Sequence, residues 1–435
     1  MTRTEQVAIV IRGGLAGLAA ALRLKMHNGI DTAVYELRSE PTTLGGAVNI
    51  PSNGLRLLDQ LGVFDEVTSR TSSASELMIH SLQGHVVAHI DMAAWSREKV
   101  GFGFVRIVRA HLLDVLLQET RKQNIPVHFG KCMTCINETD DQVTISFADG
   151  TTVSADMLLA CDGIHSAVRQ LHINPDVSPE YTGISNMFTI LPTSRLSEDN
   201  SALPPALHAT LTRAGLFGLM PCTADGDHLY WFYSRQVPLP DGEDDREGWE
   251  AYGKKEIESF KDIIREVLDG AESRWADQLR EIIQKTDTIK FYPIYKMPLA
   301  TIWSTKRCLL LGDAAHAMQP HVGQGTSTAL EDAFLLSRLL GDQSHSLVKV
   351  FREYEAIRRP RVEAVSRASA ENGEIRKTIG PWTLMMKEIG LVVGFWLYKI
   401  AGLQKWGTGL NQKDYAYDIM TEPIWPRSKG ARPEP

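Results

Sequence analysis

Read for its apolar and polar positions, the chain begins with an unbroken apolar run, Val7–Ile11, of the length and character of a buried strand. It is followed by RGGLAGLAAALRLKMHNG, in which Gly14, Ala16, Gly17 and Ala19–Ala21 let a helix lie close against a sheet; Asn28-Gly29 then marks the helix stop. A second strand, Asp31–Tyr35, ends on Glu36. A loop containing Gly45, Gly46 and Ala47 leads into a helix that ends at Gly62. Glu76–Met92 alternates and turns at Gln83-Gly84, the pattern of a hairpin. The region Val105–Gln118 carries Arg109 ahead of a leucine-rich helix. Val127–Phe147 reads as two strands and a loop, and Ala155–Ala160 as another buried strand, ending in CDGIHSAVRQ.

The pattern changes between about Glu180 and Tyr295. Strand-like pieces occur at Ile184–Leu191, Leu207–Leu211, Leu216–Met220 and His228–Tyr233, followed by the acidic stretch DGEDDREGWE and helices from about Lys254 to Gln284. Cys308–Leu311 is again a buried-strand run, closing on Gly312-Asp313. A turn-rich passage through Pro320 and Gly323-Gln324-Gly325 then gives way to a helix with Ala329, Ala333, Phe334 and the leucines after it on one face. A carboxylate at a strand tip thus meets a glycine-flanked helix start, whose free N–H groups favour negative charge. Leu347–Ala370 reads as an Arg-rich helix broken near Arg359-Pro360.

Composition narrows the class. With 43% hydrophobic and 23% charged residues, the 435-residue chain suits a soluble protein of two or three domains. A net charge of −7 without a basic block argues against nucleic acid. The N-terminal apolar run is too short for a signal-peptide core, and five scattered cysteines favour a reducing compartment, here expected to be the cytoplasm. Cys132 and Cys135 form a CxxC on a strand, where residues three apart face opposite sides, and there is no second pair for zinc. No metal site is expected. Ile389–Tyr398 is a run of uncharged, mostly apolar residues within the segment 380–405, well short of the roughly 20 needed to cross a bilayer. A packed helix pair or dimer surface is expected there, with shallow membrane contact as the alternative, and the tail EPIWPRSKGARPEP reads as disordered.

Strand, glycine turn, helix, strand and terminal acid form a dinucleotide-binding fingerprint, in which Glu36 would grip ribose hydroxyls. Aligning Gly14 and Gly17 with its last two glycines puts Arg12 where the first belongs. A side chain at that turn costs about 1–3 kcal/mol if the backbone stays strained. Whether Arg12 weakens the cofactor or pairs with a phosphate is open at this stage.

The run from Arg307 to Leu340 contains GDAAHAMxPxxGQGxxxxxEDA and resembles the second FAD fingerprint of single-component FAD monooxygenases of the salicylate and p-hydroxybenzoate hydroxylase type. The resemblance implies an α/β fold: a Rossmann-type, glutathione-reductase-like FAD domain (1–75, 100–178, 290–342), an inserted mixed-sheet substrate domain (76–99, 179–289), a helical region (343–420) and a tail (421–435). It implies that Asp313 bonds the ribityl chain and that N–H groups near Gly323, Gly325 and Thr326 face the flavin pyrimidine. Gly46 and Ala47 would pass beside the isoalloxazine, and Arg109, in an R-x-x-L element, would reach the cofactor. Asp162 would sit near the pyrophosphate with Gly163, Ser166 and Arg169. Tyr233 is the tentative substrate-facing phenol. Some phenol hydroxylases place an arginine on the first strand of the substrate sheet, and none occurs around Asn186–Thr189.

The activity implied is oxidation of NADPH or NADH and use of O₂, through a flavin C4a-hydroperoxide, to hydroxylate or epoxidise a small, largely hydrophobic aromatic or natural-product substrate. The protein would be a monomer or homodimer. GGAVNIPSNGLRLLDQLGV and the apolar C-terminal extension are similar to fungal secondary-metabolite members. A halogenase would carry WxWxIP and a disulfide reductase CxxxxC, and both are missing. An FAD-impaired relative, motivated by Arg12, is the rival of another class.

Overall fold

The computed structural model describes residues 6–42, 45–201, 203–240, 246–409 and 411–425. The part of the acidic stretch at 241–245 and the tail beyond 425 therefore lie outside the described residues.

Val7–Ile11 is the middle strand of a five-stranded parallel sheet ordered Cys308–Leu310, Met157–Ala160, Val7–Ile11, Asp31–Tyr35, Val127–His128. Its unbroken apolar character follows from burial on both faces. The helices Leu15–Arg23 and Gly325–Leu340 pack against each other in the core that also takes Val143, Ile145 and Phe147 from an antiparallel meander. That meander uses Met133–Glu138, Val143–Phe147 and Thr152–Ala155. With Val127–His128 in the parallel sheet, Val127–Phe147 holds three strands where the sequence suggested two.

A seven-stranded mixed sheet runs in the order Lys290–Lys296, Glu180–Pro192, His228–Gln236, Gly215–Pro221, Ala206–Thr212, Glu76–His80, Val86–Asp91. Its last strand in sequence, Lys290–Lys296, lies beyond the expected boundary at residue 289, because it pairs antiparallel with Glu180–Pro192. One face is sealed by the helices Arg246–Val267 and Arg274–Gln284, with Phe217, Trp231 and Tyr233 packed on Phe260, Ile264 and Leu279. Strand alternation sends Tyr230, Phe232 and Ser234 to the other face. A two-stranded ribbon, Ala47–Ile50 with Val105–Val108, lies between the two large sheets; the Gly46 backbone ahead of it meets the ring of Tyr230.

Two helices depart from expectation. Leu347–Gly373 runs unbroken through Pro360. Burial of Val350, Phe351, Tyr354, Val362 and Val365 on both sides of the proline, with Arg358 in a buried ionic cluster, outweighs a local cost of about 3 kcal/mol. Pro381–Ile400 has no buried residue and exposes Trp382, Met386, Trp396 and Ile400, so of the packed helix pair or dimer surface expected there the first is not formed within the chain. Among the described residues, no helix is long and apolar enough to cross a membrane.

Candidate active site

The first glycine turn keeps its shape although Arg12 stands in it. Arg12 adopts φ 79°, and its N–H donates to the Tyr35 carbonyl at 2.9 Å. A Cβ on Gly17 would lie 2.1 Å from the Arg12 carbonyl oxygen, so the close approach of helix and turn demands glycine at position 17. Arg12 thus holds the left-handed conformation meant for glycine, at about 1–2 kcal/mol. Gly14 precedes the helix Leu15–Arg23, and a Cβ built there meets nothing within 4 Å. Beside it the Glu36 carboxylate accepts from the N–H groups of Gly13 and Arg38, each at 2.9 Å.

The second floor of the cleft is the turn after Cys308–Leu310. Gly312, at φ 59°, leaves its N–H to the Asp332 carboxylate at 2.8 Å. Asp313 opens the short helix Asp313–His316. It is reachable by solvent yet closely walled by protein; that desolvation raises its carboxyl, against the pull of His316 and Arg109. Arg109 and Tyr292 lie close enough to feel its charge, and desolvation lowers the guanidinium and raises the phenol.

Asp162 is buried; its Oδ2 accepts from the Val168 N–H at 3.2 Å and its Oδ1 has no partner. Burial raises this carboxyl, opposed by hydrogen bonds from Ser166 and the Val168 backbone. Gly163 has φ 78° and open space at its Cβ position. Arg169 is wholly buried and donates to the carbonyls of Ala314, at 2.8 Å, and Ile164. Its work is to tie the Asp162 turn to the Asp313 turn.

Gly323, at φ 66°, abuts Asn49, and Gly325 and Thr326 open the helix Gly325–Leu340. A Cβ on Gly46 would lie 2.5 Å from the Tyr230 ring, and the Gly46 carbonyl accepts from the Arg109 N–H at 3.0 Å. Gly14, Gly17, Glu36, Asp162 and Asp313 thus gather at the strand tips and turns of the parallel sheet. Gly46, Ala47, Arg109, Gly323, Gly325 and Thr326 lie on the neighbouring ribbon, loop and helix starts. Tyr233 is not brought there. It is 1% exposed on the helix-covered face, three residues and therefore one face away from Tyr230. Sequence alternation alone separates these tyrosines, but gives no sign of which face looks inward.

An unforeseen ionic cluster sets this loop. Asp332 takes His316 Nε2 at 2.7 Å and Arg358 Nε at 2.7 Å; Arg358 also reaches Glu331 at 2.8 Å, and Glu331 accepts from Asn53 at 2.7 Å. Burial works to raise the Asp332 carboxyl, yet His316 and Arg358 hold it down at about 2. Elsewhere Glu138, His172 and Cys308 come together, but Glu138 is occupied by His172 at 2.6 Å, Thr305 and the Arg307 N–H; burial pushes the Cys308 thiol up to about 12. That set is a poor one for a metal.

Open glycine positions at Gly14, Gly163 and Gly325, the unpartnered Asp162 oxygen and the neighbouring opposite charges of Arg109 and Asp313 suit an extended dinucleotide carrying a pyrophosphate and polyol. The family described as FAD binding domain matches residues 4–369. The chain belongs to that family. Its relatives include the 6-hydroxynicotinate 3-monooxygenase of Pseudomonas fluorescens, 27% identical over 88% of this chain and 94% of that protein. The 3-amino-4-hydroxybenzoate 2-monooxygenase PtmB3 of Streptomyces platensis is 30% identical over 84% and 87%. Klebsiella pneumoniae HpxO, solved with FAD and uric acid, aligns with a TM-score of 0.77 at 25% identity, covering 95% of this chain and 98% of its own. The protein is an FAD-binding flavoprotein monooxygenase with the α/β architecture of this group, and the FAD-impaired alternative finds no support among these relatives.

Proposed function

We propose that this flavoprotein uses NADPH or NADH and O₂ to hydroxylate a small aromatic or heterocyclic substrate held between the Gly46 segment and the inner face of the seven-stranded sheet. The observation that carries the reading is the meeting of Tyr230 with Gly46, which brings an aromatic-lined sheet face down onto the cofactor turns. FAD, when bound, supplies the redox chemistry: two electrons from the nicotinamide and one O₂ become one oxygen on the substrate and one water. In this reading Glu36 holds the adenosine ribose, Gly14, Gly17, Arg109 and Asp162 surround the pyrophosphate, and Asp313 holds the ribityl chain. Gly323, Gly325 and Thr326 present N–H groups to the flavin pyrimidine, beside Gly46 and Ala47.

The protein's own contribution is positioning and exclusion of water. Phe188, Tyr230 and Phe232 form a contiguous aromatic patch, suited to a planar ring. The named substrates of the relatives, 6-hydroxynicotinate, 3-amino-4-hydroxybenzoate and urate, are rings of this size. A cytoplasmic enzyme is consistent with five unpaired cysteines. The test is the visible spectrum of the purified protein, then NADPH or NADH consumption in air across a panel of ring substrates. Bound flavin that bleaches with nicotinamide, faster with one substrate, is the expected result. A protein that neither carries nor takes up FAD would overturn the reading.

A further inference from the structure

We propose that Arg106 is the receptor for an acidic group on the substrate, a carboxylate or comparable oxyanion, a positive charge supplied by the ribbon rather than by the seven-stranded sheet. The inference rests on the monooxygenase reading of the same site. The side chain is 0% exposed. Its Nε donates to Asn49 Oδ1 at 2.8 Å, while Nη1 and Nη2 are buried with no partner. The charged or polar groups that influence it are Cys222 and Tyr230, and His208 feels its charge; none is a carboxylate. Desolvation brings the guanidinium down to about 10, so it stays cationic at neutral pH. Among the described residues the other wholly buried arginines have both Nη groups paired, those of Arg358 with Glu331 and the Thr328 carbonyl and those of Arg169 with two carbonyls. A buried cation without a counter-ion is costly, and its contact with the Phe104 ring, at 5.9 Å from the centroid, offsets only a small part of that cost.

Its placement says what the cation is for. Arg106 lies opposite Asn49 in the ribbon, and its backbone exchanges two hydrogen bonds of 2.9 Å with Ser72, so it cannot shift. Asn49 abuts Gly323 and Gly46 abuts Tyr230; the guanidinium therefore sits where the flavin-facing loop, the ribbon and the substrate sheet meet. With Nε fixed by Asn49, the two Nη groups form the fork that binds planar oxyanions bidentately. The strand Glu180–Pro192 carries no arginine. The charge missing from that strand is present here.

The test is calorimetric titration of the FAD-loaded wild type, Arg106→Met and Arg106→Lys with benzoate, salicylate, 4-hydroxybenzoate and 6-hydroxynicotinate, each against its carboxamide. At least one acid should bind the wild type about tenfold or more tighter than its amide. Arg106→Met should lose on the order of thirty-fold for that acid and nothing for the amide, and Arg106→Lys should keep part of the preference. The ligand-free Arg106→Met protein should melt no lower than wild type, because an uncompensated buried charge has been removed. No acid preferred over its amide, or undiminished acid binding by Arg106→Met, overturns the proposal. So does loss of FAD from Arg106→Met with acid binding intact, which would reassign the cation to the cofactor. A wild type that cannot take up flavin would count against the monooxygenase reading instead, and the same acid titrations on that protein would still judge Arg106.

Discussion

Replacing Arg358 by methionine strikes the cluster that shapes the Asp313 turn. It leaves Asp332 and Glu331, 0% and 1% exposed, without the guanidinium they share. Asp332 keeps His316 and the Gly312 N–H; Glu331 keeps Asn53 and a longer contact to Arg361 at 3.6 Å. Removing one partner of a buried ion pair costs about 3–5 kcal/mol, so the melting temperature of this 435-residue chain should fall by roughly 3–5 °C. Adding Glu331→Gln neutralises one of the two orphaned carboxylates and should restore part of the loss. Asp332 gives a second readout. Its carboxyl is held at about 2 against an ordinary 3.8, a difference of roughly 2 kcal/mol at about 1.4 kcal/mol per unit. Because the folded value is the lower one, that stability is present above pH 4 and is lost as pH falls from about 4 towards 2. Arg358→Met should lose less across that window, having given up part of the depression already. FAD content should drop as well, since the Gly312 N–H and His316 hang on the same carboxylate. A variant melting within about 1 °C of wild type, with unchanged pH dependence and flavin content, would refute the reasoning.

Asp313→Ala should purify with much less FAD at a nearly unchanged melting temperature; full occupancy would remove that residue from the cofactor site. Arg12→Gly relieves a left-handed arginine and should gain about 0.5–1 kcal/mol net of glycine's greater freedom in the unfolded chain, read by denaturant titration of the flavin-free protein. A destabilised Arg12→Gly would mean the side chain makes a contact worth more than the strain. Gly46→Ala drives a methyl to 2.5 Å from the Tyr230 ring and should raise KM for a ring substrate more than it lowers melting temperature; an unchanged KM would separate that contact from the substrate.

Much of this architecture was legible because local rules and tertiary demands agree. Val7–Ile11 and Cys308–Leu310 are apolar without interruption because their sheet is buried on both faces. Gly17 and Glu36 stand where a helix must approach a turn and an acid must reach back to it. The illegible parts depend on contacts far apart in sequence. Pro360 marks a break by local rules, and only the burial around it keeps the helix whole. Tyr233 and Tyr230 are equally aromatic, and which one faces inward is decided by helices that follow later in the chain. Arg106 reads as an ordinary strand residue until Asn49 takes its Nε and Tyr230 and Cys222 come near its charge. The Asp332–Arg358 pair joins two helices whose association the sequence does not announce.

The strand order of the parallel sheet imposes a timetable on synthesis. Val7–Ile11 gains both neighbours once Met157–Ala160 has emerged, but the far edge of Met157–Ala160 stays bare until Cys308–Leu310 is made. At roughly 5–20 residues per second, that interval lasts about 7–30 s. Throughout it an apolar, unpaired edge is presented to whatever strand drifts past, the form of exposure that chaperones bind and aggregates exploit. The seven-stranded sheet, complete at Lys296, is finished first. The growing chain therefore builds its roof before its floor, and a ribosome that stalls between residues 296 and 308 would release a protein with a finished seven-stranded sheet and an unfinished FAD-binding domain.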